Sequence, residues 1–324
     1  MSITRRRFAQ ALGTTAASTL ALPAFAQQAF PSRPVRMVVN FPPGGSPDVI
    51  GRAVAGPLSQ YLGQQVVVEN RSGASGTIGA DAVAKAAPDG HTLLLSSGSA
   101  MSIVPHLQKL PYDLKDLVPV SPGARLEVFL VTRGDLPVGN IQEFLRYLRT
   151  NPGRLSYASP GNGSSPHIAG EMMKAQANVF AVHIPYRGSA AVVQDMLAGR
   201  IDYSFDPGTA FPHVRAGRLK LLAVGSTKRS ALFPETPTLA ESGLPGFDAG
   251  TTHGFWYPAR TPAAIVERMN REINRARGEK AFSDAIRGLG AEPTPMSPEQ
   301  FGQVIEADSR RYAVIIRDRK ITAD

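Results

Sequence analysis

Val35-Arg36-Met37-Val38-Val39-Asn40 runs into Phe41-Pro42-Pro43-Gly44-Gly45-Ser46-Pro47-Asp48, which runs into an apolar-periodic stretch over 49–62. The first segment is rich in β-branched and apolar residues and reads as a strand. In the last, Val49, Ile50, Ala53, Val54, Leu58 and Leu62 recur at helical spacing and make one apolar face. Ser46 is placed to cap that helix. Pro47 fits its first position, where no N–H is needed, and Asp48 meets its positive end. Gly56-Pro57 predicts a kink or a helix end. Strand, tight Gly/Pro loop and helix together are the building unit of an α/β protein.

The unit recurs. Residues 65–69, 92–96, 128–132, 154–159, 180–185, 201–205 and 220–224 also read as strands. Residues 78–86, 141–149, 168–175 and 190–198 read as helices between them. This alternation predicts an α/β fold with mainly parallel sheets and helices on both faces. The last third differs, with three helical patterns over 263–277, 280–289 and 298–319.

The first loop has two counterparts in the second half. Ser159-Pro160-Gly161-Asn162-Gly163-Ser164-Ser165-Pro166-His167 is the long one, and Arg187-Gly188-Ser189 is the short one. Each places a Ser where it can cap a helix. Glycines let backbone amides come close to a ligand. A helix N-terminus offers unpaired N–H groups and partial positive charge, which suits a carboxylate. Open α/β sheets bind ligands at the carboxyl ends of their strands, where these loops lie. The candidate ligand-binding residues are therefore Phe41, Gly44, Gly45, Ser46, Asp48, Ser97, Gly163, Ser164, Ser165, His167, Tyr186, Gly188, Ser189 and Asp206. His167 is placed to donate to a ligand oxygen, and Tyr186 to close over the ligand. Asp206 follows a strand, where a cleft residue lies, although Pro207-Gly208 makes it an equally good turn former. Phe255 and Trp256 belong to an apolar run and read as core.

Several function classes lose their signature. There is no Gly-x-Ser-x-Gly turn, no phosphate-binding Gly-Lys-Ser/Thr, and Pro166 interrupts any dinucleotide fingerprint. A hydrolase using Ser164 or Ser165 with His167 suffers from adjacency, since triad partners come from separate elements. The six His are scattered singly and Cys is absent, so neither a metal site nor a disulfide scaffold is expected, and no cofactor. Glycines at 73, 76 and 79 have the wrong spacing for nucleotides. Lys and Arg number 35 against 26 Asp and Glu, a formal charge of +9, but they form no stripe with aromatics, so nucleic acid is not an expected partner.

Residues 1–26 read as an export signal. Thr4-Arg5-Arg6-Arg7-Phe8 is followed by a weakly apolar run and Ala24-Phe25-Ala26. The paired arginines favour the twin-arginine route. Cleavage after Ala26 would leave a periplasmic protein of 298 residues carrying +6, because the signal holds three Arg and no acid. No later segment is long and apolar enough to span a bilayer.

The motifs together resemble the Bug-type receptors, the extracytoplasmic solute-binding subunits of tripartite tricarboxylate transporters. The resemblance rests on Pro31-Ser32-Arg33-Pro34-Val35-Arg36, the 41–48 loop, Val66-Val67-Val68-Glu69-Asn70-Arg71-Ser72-Gly73, Ala86-Ala87-Pro88-Asp89-Gly90, residues 157–167 and Pro185-Tyr186-Arg187-Gly188-Ser189-Ala190. It implies a two-lobed, type II periplasmic-binding fold that closes on its ligand. Lobe one would comprise 27–130 and 227–324, and lobe two 131–226. Chain crossings would lie near 128–132 and 222–226. The resemblance further implies a monomer that holds a small organic acid through backbone amides and water, without an obligatory arginine. Its partner would be a membrane permease, or alternatively a membrane kinase if the receptor serves sensing. The chain departs from the family at Gly56-Pro57, where a Lys is usual, and at Pro47 and Pro166, where Thr is frequent.

Overall fold

The computed structural model describes residues 30–291 and 294–322. The expected export signal lies outside them. The first half runs β1 (Val35–Val39), α1 (Ser46–Leu62), β2 (Val66–Asn70), α2 (Thr77–Ala84), β3 (Thr92–Ser96), α3 (Gly98–Ser102) and β4 (Leu117–Leu126). Next come β5 (Phe129–Arg133), α4 (Ile141–Thr150), β6 (Ser156–Ser159), α5 (Ser165–Ala177), β7 (Val182–Pro185), α6 (Ser189–Leu197), β8 (Tyr203–Asp206), α7 (Phe211–Arg215) and β9 (Leu219–Val224). The chain ends with β10 (Thr251–Pro258), α8 (Ala263–Ala276), α9 (Lys280–Gly288) and α10 (Pro298–Arg319).

Two five-stranded sheets result, ordered β2-β1-β3-β10-β4 and β7-β6-β8-β5-β9. β1 pairs in parallel with β2 and β3, and β6 with β7 and β8. The remaining ladders are antiparallel, through β10 in one sheet and β5 in the other. Helices cover both faces, as alternation along the strands shows. Val35, Met37 and Val39 bury against α1 and α8, whereas Val38 joins Leu94, Trp256 and Phe301 on the opposite face. The second sheet divides likewise: Tyr157 and Tyr203 pack with α4 and α5, while Ala158 and Val131 pack with α6. Phe255 and Trp256 are core residues, as expected.

Two strands escape the sequence reading. β4 contains Pro119, Pro122 and Gly123, and β10 contains Gly254. β4 is an edge strand, where Pro is tolerated. The register slips between His253 and Gly254 and again between Phe255 and Trp256, opposite those prolines. α1 reaches Leu62, as its periodicity predicts, and Gly56-Pro57 does not end it.

The chain passes from the first sheet to the second between Leu126 and Phe129 and rejoins the first only at Thr251. Leu239, Leu244 and Phe247 bury with Leu130 and Phe205, so this segment lies with the second sheet rather than with lobe one as the 227 boundary implied. α10 serves both halves: Phe301 packs on Trp256, while Tyr312 and Ile316 enter the second sheet's core.

Gly254 shows how tightly the layers meet. A methyl group there would lie 2.3 Å from the Phe301 ring and 2.7 Å from the Ser121 carbonyl. Gly254→Ala should therefore lower unfolding free energy by about 1–3 kcal/mol through overpacking. Urea denaturation should show the loss as a lower midpoint with an unchanged slope.

Candidate functional site

The loops that leave β1, β3, β6, β7 and β8 all face one gap between the sheets. Its outer chamber, of about 660 Å³, is lined by Asn40, Phe41, the 72–76 turn, Gln108, Pro160–Asn162 and Pro185–Gly188. Deeper in, the gap narrows to about 20 Å³ between Ser46, Ser97, Ser99, Ser165, Ser189 and His253. That is room for about one water molecule. The N-termini of α1, α5 and α6 converge there, and the first amides of a helix have no intrahelical partner. Among the described lining residues there is no carboxylate, and the one charged side chain is Arg187, at the outer chamber.

Local backbone explains how the helices arrive. Gly44, Gly163 and Gly188 adopt φ of 78°, 75° and 110°, which other residues take only with strain. Gly45, with φ −77°, is the actual N-cap of α1, and Gly188 that of α6. Ser46 and Ser189 are therefore first helical residues, not caps, and both line the inner chamber. Only Ser164 caps as expected, its Oγ accepting from the His167 amide at 3.4 Å. Ser97 caps α3 by accepting from the Ser99 amide at 3.3 Å, and it lines the chamber too.

Three candidates, Asp48, His167 and Asp206, brace the loops instead of facing the cleft. Asp48 accepts from the Gly44 amide (3.0 Å), Arg52 (3.0 Å) and Asn70 (2.9 Å). Burial acts to raise its pKa, but these bonds outweigh it and hold the carboxyl below its usual range. His167 turns its Nδ1 back to the Gly163 amide at 3.2 Å and stacks on His183 at 4.3 Å. It is in the lining of neither chamber. The amides of Gly44 and Gly163 are engaged by these bonds, whereas Ser46, Ser165 and Ser189, the first residues of their helices, line the inner chamber. Asp206 is fully enclosed and accepts from the Gly208 and Ala210 amides, each at 2.8 Å, so it forms the turn. Burial raises its pKa. Tyr186 lines the outer chamber, but its hydroxyl is tied to Asp195 at 2.7 Å. Phe41 lines both chambers.

Among the lining residues outside the candidate set, Asn40 and His253 make the most of the bonding. Asn40, fully buried, donates to Gly76 O (3.0 Å) and Ser96 Oγ (2.8 Å) and accepts from the Ser97 amide (3.3 Å). It ties the exits of β1 and β3 together. His253 lies on the chamber floor, with Nδ1 3.2 Å from the Gly98 amide and Nε2 3.1 Å from Ser46 Oγ. A polar pair, His253-Gly254, heading an apolar run was the one signal for it. Across the gap, Ser75 Oγ donates to the Asn162 carbonyl from a turn in which Ala74 and Ser75 hold positive φ.

Residues 50–321 match the tripartite tricarboxylate transporter family receptor. The chain belongs to that family. Three solved structures illustrate the kinship. The periplasmic binding protein BugD is 33% identical, with a TM-score of 0.84 over 90% of this chain and 99% of its own. An R. palustris protein solved with adipate is 32% identical, with a TM-score of 0.86 over 90% and 99%. MatC of Rhodopseudomonas palustris, solved with bound malate, is 30% identical, with a TM-score of 0.83 over 89% and 100%. The family is one of periplasmic solute receptors, and the two-sheet α/β architecture is theirs. No helix among the described residues is long and apolar enough to cross a membrane.

The loop glycines separate two expectations. A methyl group on Gly163 would combine a positive φ with contacts of 3.1 and 3.2 Å to Leu107 and Val104, across the gap. On Gly45 it would meet its nearest atom at 3.4 Å with ordinary φ. Gly163→Ala should therefore weaken ligand binding about tenfold or more, given a left-handed penalty of about 1–2 kcal/mol. Gly45→Ala should change it less than threefold, about 0.6 kcal/mol in free energy. Calorimetric titration of both variants tests the difference.

Two buried histidines outweigh one buried carboxyl, Glu127, which burial pushes up to about 7 and which acts in the opposite direction, in the pH response below 6.5. Burial pushes His253 down to about 3; burial and the neighbouring His167 do the same to His183. Both rings are neutral in the folded protein but take up protons below about pH 6.5 once unfolded. The unfolded state then binds more protons, so stability falls as pH drops from about 6.5 toward 3. Thermal midpoints should be level between pH 7 and 8 and decline from pH 6.5 to 5. A midpoint independent of pH over that range would contradict the assignment.

Proposed function

We propose that this protein captures a small organic carboxylate in the gap between its sheets and hands it to the permease subunits of a tripartite transporter. The observation that carries this reading is the convergence of three helix N-termini on an inner chamber with no carboxylate lining it. Oriented amides and helix dipoles favour an anion there without a buried counter-ion. The adipate and malate seen in two structural relatives make a dicarboxylate the first class to try. Pro47 and Pro166 line the chamber and bring neither a hydroxyl nor an N–H, so fewer donors are available than where Thr stands.

The proposal includes two lobes, one around each sheet, hinged at the crossings near 127–128 and 248–250. A ligand that touches both lobes favours the closed state by its differential affinity. Residues 1–26 are proposed to direct export and to be removed, leaving a periplasmic monomer. The protein is read as a receptor and not an enzyme. Ser164 Oγ donates to the Gly161 carbonyl at 2.6 Å and His167 Nδ1 is held by Gly163, so Ser164 and His167 are not paired for attack.

A thermal-shift panel of adipate, malate, succinate, benzoate and their carboxamides tests the reading. At least one acid should raise the midpoint, since binding to the native state stabilises it, and small-angle scattering at saturation should show a smaller radius of gyration. No shift with any acid, or binding of the neutral carboxamides alone, would overturn it.

A further inference from the structure

Ser46 sits at the start of α1 in the lining of the inner chamber, and the hydrogen-bond partner of its hydroxyl among the described residues is His253 Nε2. Which atom donates is settled on the other side of the ring. The Gly98 amide points at His253 Nδ1, and a backbone N–H is always the donor. Nδ1 therefore carries a lone pair. Burial, which pushes the ring's pKa down to about 3, keeps it neutral. In a neutral imidazole with a bare Nδ1 the proton is on Nε2. Nε2–H then donates to Ser46 Oγ and occupies one of its lone pairs.

A serine hydroxyl has one proton. With His253 donating into the oxygen, that proton is turned away from the ring, toward the chamber. The ring cannot yield, because it is nearly fully enclosed and its neighbours are pressed together. A methyl group on Gly98 would lie 2.5 Å from the Thr252 carbonyl oxygen, so α3 rests directly on β10.

We propose that His253 is a positioning residue that holds the Ser46 hydroxyl as a hydrogen-bond donor into the chamber, so that the site selects an acceptor-only head group over a neutral one of the same shape. The inference rests on the carboxylate reading above and deepens it. A carboxylate has acceptors on both oxygens, whereas a carboxamide presents an NH₂ that meets donors. Without His253, Ser46 could rotate and accept from that NH₂, and the discrimination would weaken.

Two measurements test this. The first needs no ligand: ¹⁵N–¹H long-range correlation spectra, assigned with the His253→Gln variant, should show His253 as the Nε2–H tautomer. The second compares affinities for adipate, malate and succinate with those for their diamides. In His253→Gln the acid-to-amide ratio should fall about tenfold, the scale of one hydrogen bond to a charged group. Ser46→Ala should lower it as much, and the double variant no further. An Nδ1–H tautomer, or an equal loss for acids and amides in the variants, overturns the proposal. If His253→Gln does not fold, the wild-type tautomer and the Ser46→Ala ratio decide. If no acid binds the wild type, the carboxylate reading falls and the tautomer alone decides the orientation of Ser46.

Discussion

Three helices can aim their N-termini at one point only if the loops feeding them turn sharply without side chains in the way. Gly44, Gly163 and Gly188 meet that demand, each with a positive φ. They also lie where the two halves touch. A methyl group on Gly188 would stand 3.1 Å from Pro42, and one on Gly44 would stand 3.5 Å from Ala190. Backbone freedom and close approach thus coincide at the same residues. The loops, the inner chamber and the contact between halves all depend on them.

The two long loops are held by one device in two chemical versions. In each, the loop glycine donates its amide to the side chain four residues on: Gly44 to Asp48, and Gly163 to His167. The anionic version is steadied by Arg52 and Asn70, and the neutral one by stacking on His183. Both fix the loop before any ligand arrives. Bound geometry made in advance lowers the ordering cost of binding. The device also engages those two glycine amides, while the first helical serines line the inner chamber.

The crossings between the sheets are fastened by α10. Arg311 donates to the carbonyls of Asp248 and Gly250, and Tyr312 to that of Gly250 at 2.9 Å. Arg125 on the other crossing bonds Asp248 at 3.1 Å. Glu127 lies in the same cluster, and burial pushes its carboxyl up to about 7. The long helix α10 therefore holds both passages of the chain side by side.

Local pattern sufficed for the α/β class, for the strands and helices around the loops, and for the positions of those loops. The periodicity of Val49 to Leu62 and the Gly/Pro punctuation are properties of short segments, so they are legible without a fold. β4 and β10 were not, because prolines and a glycine disguise them and only pairing with each other and with β3 makes them strands. The same limit applied to side-chain roles. Asp48, His167 and Asp206 carry groups suited to a ligand, and their spacing alone does not say that backbone amides claim them first. His253 is remote in sequence from Ser46 and reaches it only when β10 slides in beside β3. Contacts between distant segments belong to the tertiary structure, since no local propensity encodes which donor will meet which acceptor.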